Sequence, residues 1–219
     1  MSIPLPYTDQ YQCRNETLEV YASDRRGQVL YQFNNYGYRN NIDYFPDEKN
    51  VGAYIGSSIT AGIGVDWDKS FALLSSQTLG TNCYHFAQGC TMVDNEEILR
   101  MSKLVKQTNI DIKYYVIQFI QLGREYDVAT GKTILNDNVD QNIVKFQQVF
   151  EQVQELFKND NWCFFGCDQE QHRLPESITK HPFCLTWNPQ FIDFAGVGRH
   201  PGVKWHKMIN QSIIKFLKK

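Results

Sequence analysis

The stretch NVGAYIGSSITAGIGV, residues 50–65, runs an apolar segment into a glycine, two adjacent serines and a series of spaced glycines. Val51 to Gly56 has the length and composition of a buried strand. A Gly-Ser turn closing such a strand lifts a serine hydroxyl out of the sheet toward solvent, which makes it a candidate nucleophile. That hydroxyl needs a general base before it can attack anything.

Working outward, NCYHFA (82–87), YYVIQFI (114–120) and WCFFGC (162–167) read as further strands, separated by segments of helical period. SFALLSSQTLG ends at Gly80, a natural helix C-cap, and DNEEILRMSKLVKQT opens with carboxylates that suit a helix N-terminus. Across 138–158, Val139, Ile143, Phe146, Phe150, Val153 and Phe157 recur at steps of four and three, a stripe that faces a core. After RHPG, Trp205, Ile209 and Ile213 give a last helix its apolar face; Pro201 suits a first helical position, which sets His200 at the helix N-terminus, where the neutral imidazole is favoured. Strands alternating with helices predict an α/β domain with a parallel sheet over 49–219. Residues 1–48 are polar and rich in Asn and Tyr, and read as an arm packed on that domain, with QVLYQF as its one short strand.

The 219 residues suffice for a core without staples, and a composition of 42% hydrophobic and 21% charged residues with a net charge of -2 is that of an ordinary globular chain. Nothing in it points to a nucleic-acid or membrane surface. No apolar run reaches a membrane span, and MSIPLPYTDQYQC lacks the regions of a signal peptide, so secretion by that route is not expected. The six cysteines are scattered and read as reduced, packed thiols. The lysines at 204, 207, 215, 218 and 219 read as a solvated face, and His85, His172, His181 and His206 lack metal-ligand spacing.

In open α/β sheets, sites form beyond the carboxyl ends of the strands. There lie Ser57 and Ser58, the QGC containing Gly89, IQLGRE (120–125), and His200 before the last helix. This arrangement resembles the SGNH, or GDSL-type, hydrolases. GSSITAGIGV is similar to that family's Gly-Asp-Ser block, with Ser58 as the nucleophile and Ser57 at the usual Asp. YHFAQGCT resembles the second block, whose glycine, here Gly89, lends an N–H to the oxyanion hole. FAGVGRHPG resembles the block that carries the catalytic histidine, here His200, and NNYGYRN is similar to an Asn-x-x-Gly-aromatic-Arg element that precedes the nucleophile strand. The chain departs from the family in two places. Gln121 is the nearest amide to the third-block Asn, and Val197 stands three residues before His200 where the family has an acid, leaving Asp193 as the closest carboxylate in sequence.

The resemblance implies a flavodoxin-like three-layer α/β/α sandwich and a serine esterase that deacylates, acetyl groups foremost, a carbohydrate or other small polar ester. Ser58, His200, Gly89, Gln121 and Asp193 are its candidate catalytic residues. Arg124 and Glu125 are either a local ion pair or contacts for an anionic or polyhydroxyl substrate. No metal or organic cofactor is implied. An O-acyltransferase using the same serine, or a catalytically weakened glycan-binding or structural module, would use the same pocket. The virus-encoded members of the family leave both a cytoplasmic and a virion-associated location open, and the oligomeric state is not legible.

Overall fold

Along the chain, strands β1 (Thr17–Tyr21) and β2 (Gln28–Gln32) are followed by β3 (Val51–Gly56), helix α1 (Phe71–Leu79), β4 (Asn82–Ala87) and α2 (Asn95–Lys106). Next come β5 (Ile112–Phe119), β6 (Arg124–Asp127), β7 (Lys132–Leu135), α3 (Val139–Phe157), β8 (Trp162–Gly166), the short α4 (Glu176–Thr179), β9 (Cys184–Trp187) and α5 (Val203–Leu217). In this computed structural model the described residues are 3–4, 14–21, 28–87, 94–127, 132–166, 174–187, 193 and 200–219.

The sheet has five strands in the order β4-β3-β5-β8-β9, all parallel. The chain passes from β3 to β4 on one side, then returns to place β5 on the other. β3 and β5 therefore border a topological switch point, the position where doubly wound sheets open a crevice. Both faces are covered, which is why β3 is buried at every position. In β5 the side chains alternate, Tyr114 and Val116 packing with α1 and α5 while Tyr115, Ile117 and Phe119 pack with α2 and α3. The result is a three-layer α/β/α sandwich.

The helices begin and end where local chemistry dictates. Ser70, Asp94 and Asn138 cap α1, α2 and α3 by accepting the N–H of Leu73, Glu97 and Gln141. Gly80 ends α1 in the left-handed region at φ 68°. The α3 stripe is buried at Phe146, Phe150, Val153 and Phe157.

Three expectations need correction. The arm carries two strands: TLEVY forms β1 and pairs antiparallel with β2 along its whole length, so it satisfies the backbone groups that the polar composition had suggested were in loops. The β6-β7 hairpin, β9 and α4 were not anticipated; at four residues each they are too short to show a period. Pro201 also lies outside α5. The Gly202 N–H goes to the Asp193 carbonyl, so the helix starts at Val203 with Gly202 as its N-cap. His200 therefore stands two residues ahead of the cap and not in the helix end.

Segments near the N-terminus are bonded into the sheet's β4 edge. Asn40 Nδ2 donates to the Cys83 carbonyl, and the Tyr44 hydroxyl donates to the His85 carbonyl and accepts the His85 N–H. These bonds cover an edge strand that would otherwise present open backbone groups. The thiols of Cys83, Cys163 and Cys184 are free, and Lys204, Lys207, Lys215, Lys218 and Lys219 are exposed.

Candidate active site

The turn after β3 is held from below by a buried amide. Gln118, in β5 and 1% exposed, receives the Ser57 N–H at 3.1 Å and the Thr60 hydroxyl at 2.7 Å on Oε1, while its Nε2 donates to Ser57 Oγ at 2.9 Å. Gly56 leaves room for this: a Cβ there would collide with Thr60 Oγ1 and come within 2.8 Å of Gln118 Oε1. Ser57 is thus drawn inward and is 3% exposed. Ser58 is left half-buried on the outer side of the turn.

The following loop is clamped by residues that precede β3 in the chain. Arg39, 1% exposed, donates to the carbonyls of Ala61 at 3.1 Å, Gly62, and Val65 at 2.5 Å, and its guanidinium lies 3.8 Å from the centre of the Tyr31 ring. Burial lowers the Arg39 pKa to about 10, so it stays charged at neutral pH. The Tyr31 hydroxyl accepts the Gly64 N–H at 2.8 Å. One buried cation and one phenol therefore fix residues 61–65 through their backbone, which accounts physically for the NNYGYRN element.

Against this turn comes His200. Its Nε2 lies 2.8 Å from Ser58 Oγ, a contact between residues 142 positions apart. The loop end that carries His200 is fastened by Asp193, whose carbonyl accepts the Gly202 N–H at 3.0 Å. The Asp193 carboxylate accepts the N–H of Lys204 at 2.8 Å and of Trp205 at 2.9 Å, capping α5 from outside the helix. Gly202 permits that approach, since a Cβ would sit 2.6 Å from the Asp193 carboxyl carbon. Among the described residues the Ser58 N–H has no acceptor, although the N–H groups of Ser57 and Thr60 on either side are both bonded to Gln118. An unspent N–H beside a serine hydroxyl is a donor for a developing oxyanion.

No protein-family model matches the chain, and no characterised protein matches it by sequence. Solved structures do match. One is a carbohydrate esterase whose active site is described as having divergent catalytic and non-catalytic binding functions; it superposes with a TM-score of 0.52 at 16% identity over 80% of this chain and 70% of its own. Another, from Desulfitobacterium hafniense DCB-2, is assigned to the G-D-S-L family of lipolytic proteins and matches with a TM-score of 0.51 at 12% identity, over 77% of this chain and 99% of its own. The fold is that of the SGNH hydrolases. At these identities the likeness concerns the fold, and the chemistry has to be argued from the residues.

Within the SGNH fold, Ser58 and His200 are brought together from positions 142 residues apart. Gly89 and Val197 lie outside the described residues. Gln121 is exposed just past β5, three positions beyond the amide that engages the Ser57–Ser58 turn. Arg124 and Glu125 open the β6-β7 hairpin; the Glu125 carboxylate is 2.6 Å from Lys145 Nζ and 3.4 Å from Asn136 Nδ2. That hydrogen bond from Lys145 holds the Glu125 carboxyl below its ordinary pKa. Gln118 was missed as a site residue. Its signal was present, since an amide inside the apolar run YYVIQFI must find a buried partner. Among the described residues no cluster of three or more His, Cys, Asp or Glu is arranged to hold a metal, and no helix is long and apolar enough to cross a membrane.

Proposed function

We propose that this protein is a serine esterase that removes an acyl group, acetyl foremost, from a carbohydrate or related small polar ester. The observation that carries the reading is the 2.8 Å contact between Ser58 Oγ and His200 Nε2 at the carboxyl edge of the sheet. Hydrogen-bond reach between a nucleophile and a base is the geometric requirement for activating a serine.

His200 Nε2 takes the Ser58 proton as Oγ bonds to the acyl carbon. The carbonyl oxygen becomes an oxyanion, stabilised by the Ser58 N–H and, by resemblance, the Gly89 N–H. The C–O bond to the alcohol then breaks, and His200 returns its proton to the departing oxygen. Water repeats the sequence on the acyl-enzyme and frees the acid. Gln118 and Arg39 act as positioning residues through the turn, and Asp193 through the α5 cap. The carbohydrate part of the reading draws on the carbohydrate esterase that shares the fold.

A serine-reactive fluorophosphonate labels Ser58 and leaves Ser57 unmodified, because Ser57 is buried against Gln118. The wild-type protein turns over a chromogenic acetyl ester and Ser58→Ala reduces this to background. An adduct on Ser57, or equal turnover by both proteins, overturns the assignment. One observation favours a second reading as a glycan-binding module: Val197 occupies the family's acid position. A folded wild-type protein that binds glycan without labelling or turnover would establish that reading instead.

A further inference from the structure

A cavity of about 250 Å³ opens at the same edge of the sheet as Ser58, on the flank covered by α2 and α3. It is lined by the start of α2 (Asp94, Asn95, Glu96), the segment after β5 (Leu122 to Glu125) and one face of α3 (Asn142, Lys145, Phe146, Val149). The Asn95 side chain binds both the N–H and the carbonyl of Ile120, at 3.0 and 3.3 Å, so the α2 wall is fastened to the end of β5. Two residues earlier in β5, Gln118 holds the nucleophile turn. The cavity and the serine thus share one rigid strand across the switch point.

Its lining tells what fits. Three carboxylates (Asp94, Glu96, Glu125) face two cations (Arg124, Lys145), and Lys145 is already committed to Glu125 at 2.6 Å. This balance disfavours an anion. Asn142, 5% exposed, donates from Nδ2 to the Asn136 carbonyl at 2.6 Å, and its Oδ1 has no partner among the described residues. A wall with an unmet acceptor asks for a donor. Gly123, at φ 70°, is what admits Asn142, because a Cβ there would collide with Asn142 Nδ2 and come within 2.6 Å of the Asn136 carbonyl oxygen that it bonds. Hydroxyl groups supply donors to carboxylates and amides and also accept from arginine; carboxylate and phosphate groups cannot donate. Leu122, Phe146 and Val149, each more than nine-tenths buried, form the apolar floor of the cavity. The volume lies just below the range of drug-sized pockets, in keeping with a single ring.

We infer that this cavity is a subsite for one neutral sugar unit of the substrate whose ester Ser58 attacks. It rests on the proposed esterase reading only for where the ester lies. The test is direct binding to the intact Ser58→Ala chain, read by amide chemical shifts, with methyl β-D-xylopyranoside and methyl β-D-glucopyranoside as neutral probes and D-glucuronate as the anionic one. Expected are millimolar binding of a neutral glycoside with shifts at Gly123, Arg124 and Phe146, at least tenfold weaker binding of glucuronate, and at least tenfold loss in Glu125→Gln or in Phe146→Leu, each verified as folded by its thermal transition. Tighter binding of glucuronate, shifts confined to other residues, or no binding of either glycoside overturns the inference. Fluorophosphonate labelling of the wild-type protein reports on the esterase reading separately, so the two fail independently.

Discussion

Gln118 does at the level of one residue what the turn sequence cannot do alone. Gly-Ser-Ser permits many conformations, and the amide selects one by bonding the backbone and hydroxyls of Ser57 and Thr60. Gln118→Leu keeps the volume and strands those donors in a buried site, where each unmet group costs about 1–3 kcal/mol. The expected result is a loss of about 3 kcal/mol, roughly 6–12 °C in the unfolding midpoint for a chain of this size. The rate of fluorophosphonate labelling at Ser58 should fall by at least tenfold with it. Labelling at the wild-type rate in the folded variant would mean that the turn holds its shape without the amide.

Among the elements, α5 and the arm matter most to the site, because each delivers a side chain from outside the sheet. Arg39 reaches under the loop that follows Ser58, and Asp193 caps α5 just after His200. The cap role and an acid role for Asp193 predict different numbers. Loss of a helix cap costs about 0.5–2 kcal/mol of stability, whereas disabling the acid of a serine triad lowers turnover by about 10⁴-fold. For Asp193→Ala the expectation is a lower unfolding midpoint with turnover of the acetyl ester reduced by roughly tenfold, the geometric cost of a loosened histidine. Unchanged stability with a loss near 10⁴-fold would instead assign Asp193 to the imidazole.

At the scale of the molecule, two histidines make stability depend on pH. His85 and His206 are 0% exposed, and burial is the leading cause that lowers each pKa to about 3. His206 Nδ1 accepts the Phe71 N–H, which only a neutral ring can do, whereas His85 is kept neutral by burial even though the hydrogen bond from its Nε2 to the Arg39 carbonyl works the other way. Between about pH 6.5 and 3 the unfolded chain carries protons on these rings that the folded chain refuses, so stability falls as pH drops and is level above that window with respect to these groups. The slope approaches about 1.4 kcal/mol per pH unit for each histidine. Urea midpoints at pH 7.5, 6 and 5 should therefore decline below pH 6.5; a constant midpoint down to pH 5 would show that one or both rings charge inside the fold.

Periodicity and punctuation were enough for the layer architecture: the strand at Val51–Gly56, the stripe from Phe146 to Phe157 and the stop at Gly80 are local patterns that any tertiary setting would have to respect. The Gly-Ser-Ser turn and the placing of His200 ahead of the last helix were legible for the same reason, each being a short block at a strand or helix end. Packing decided the remainder. Gln118 and Gln121 are the same residue type three positions apart, and only the pairing of β3 with β5 makes Gln118 the one that meets Ser57. Asp193, read as a carboxylate near a histidine, became a cap because the Gly202 N–H turned to its carbonyl and shifted the start of α5 past Pro201. Sequence spacing carries local periods, but a hydrogen bond between residues 142 positions apart exists only after the sheet has brought its strand ends to one edge.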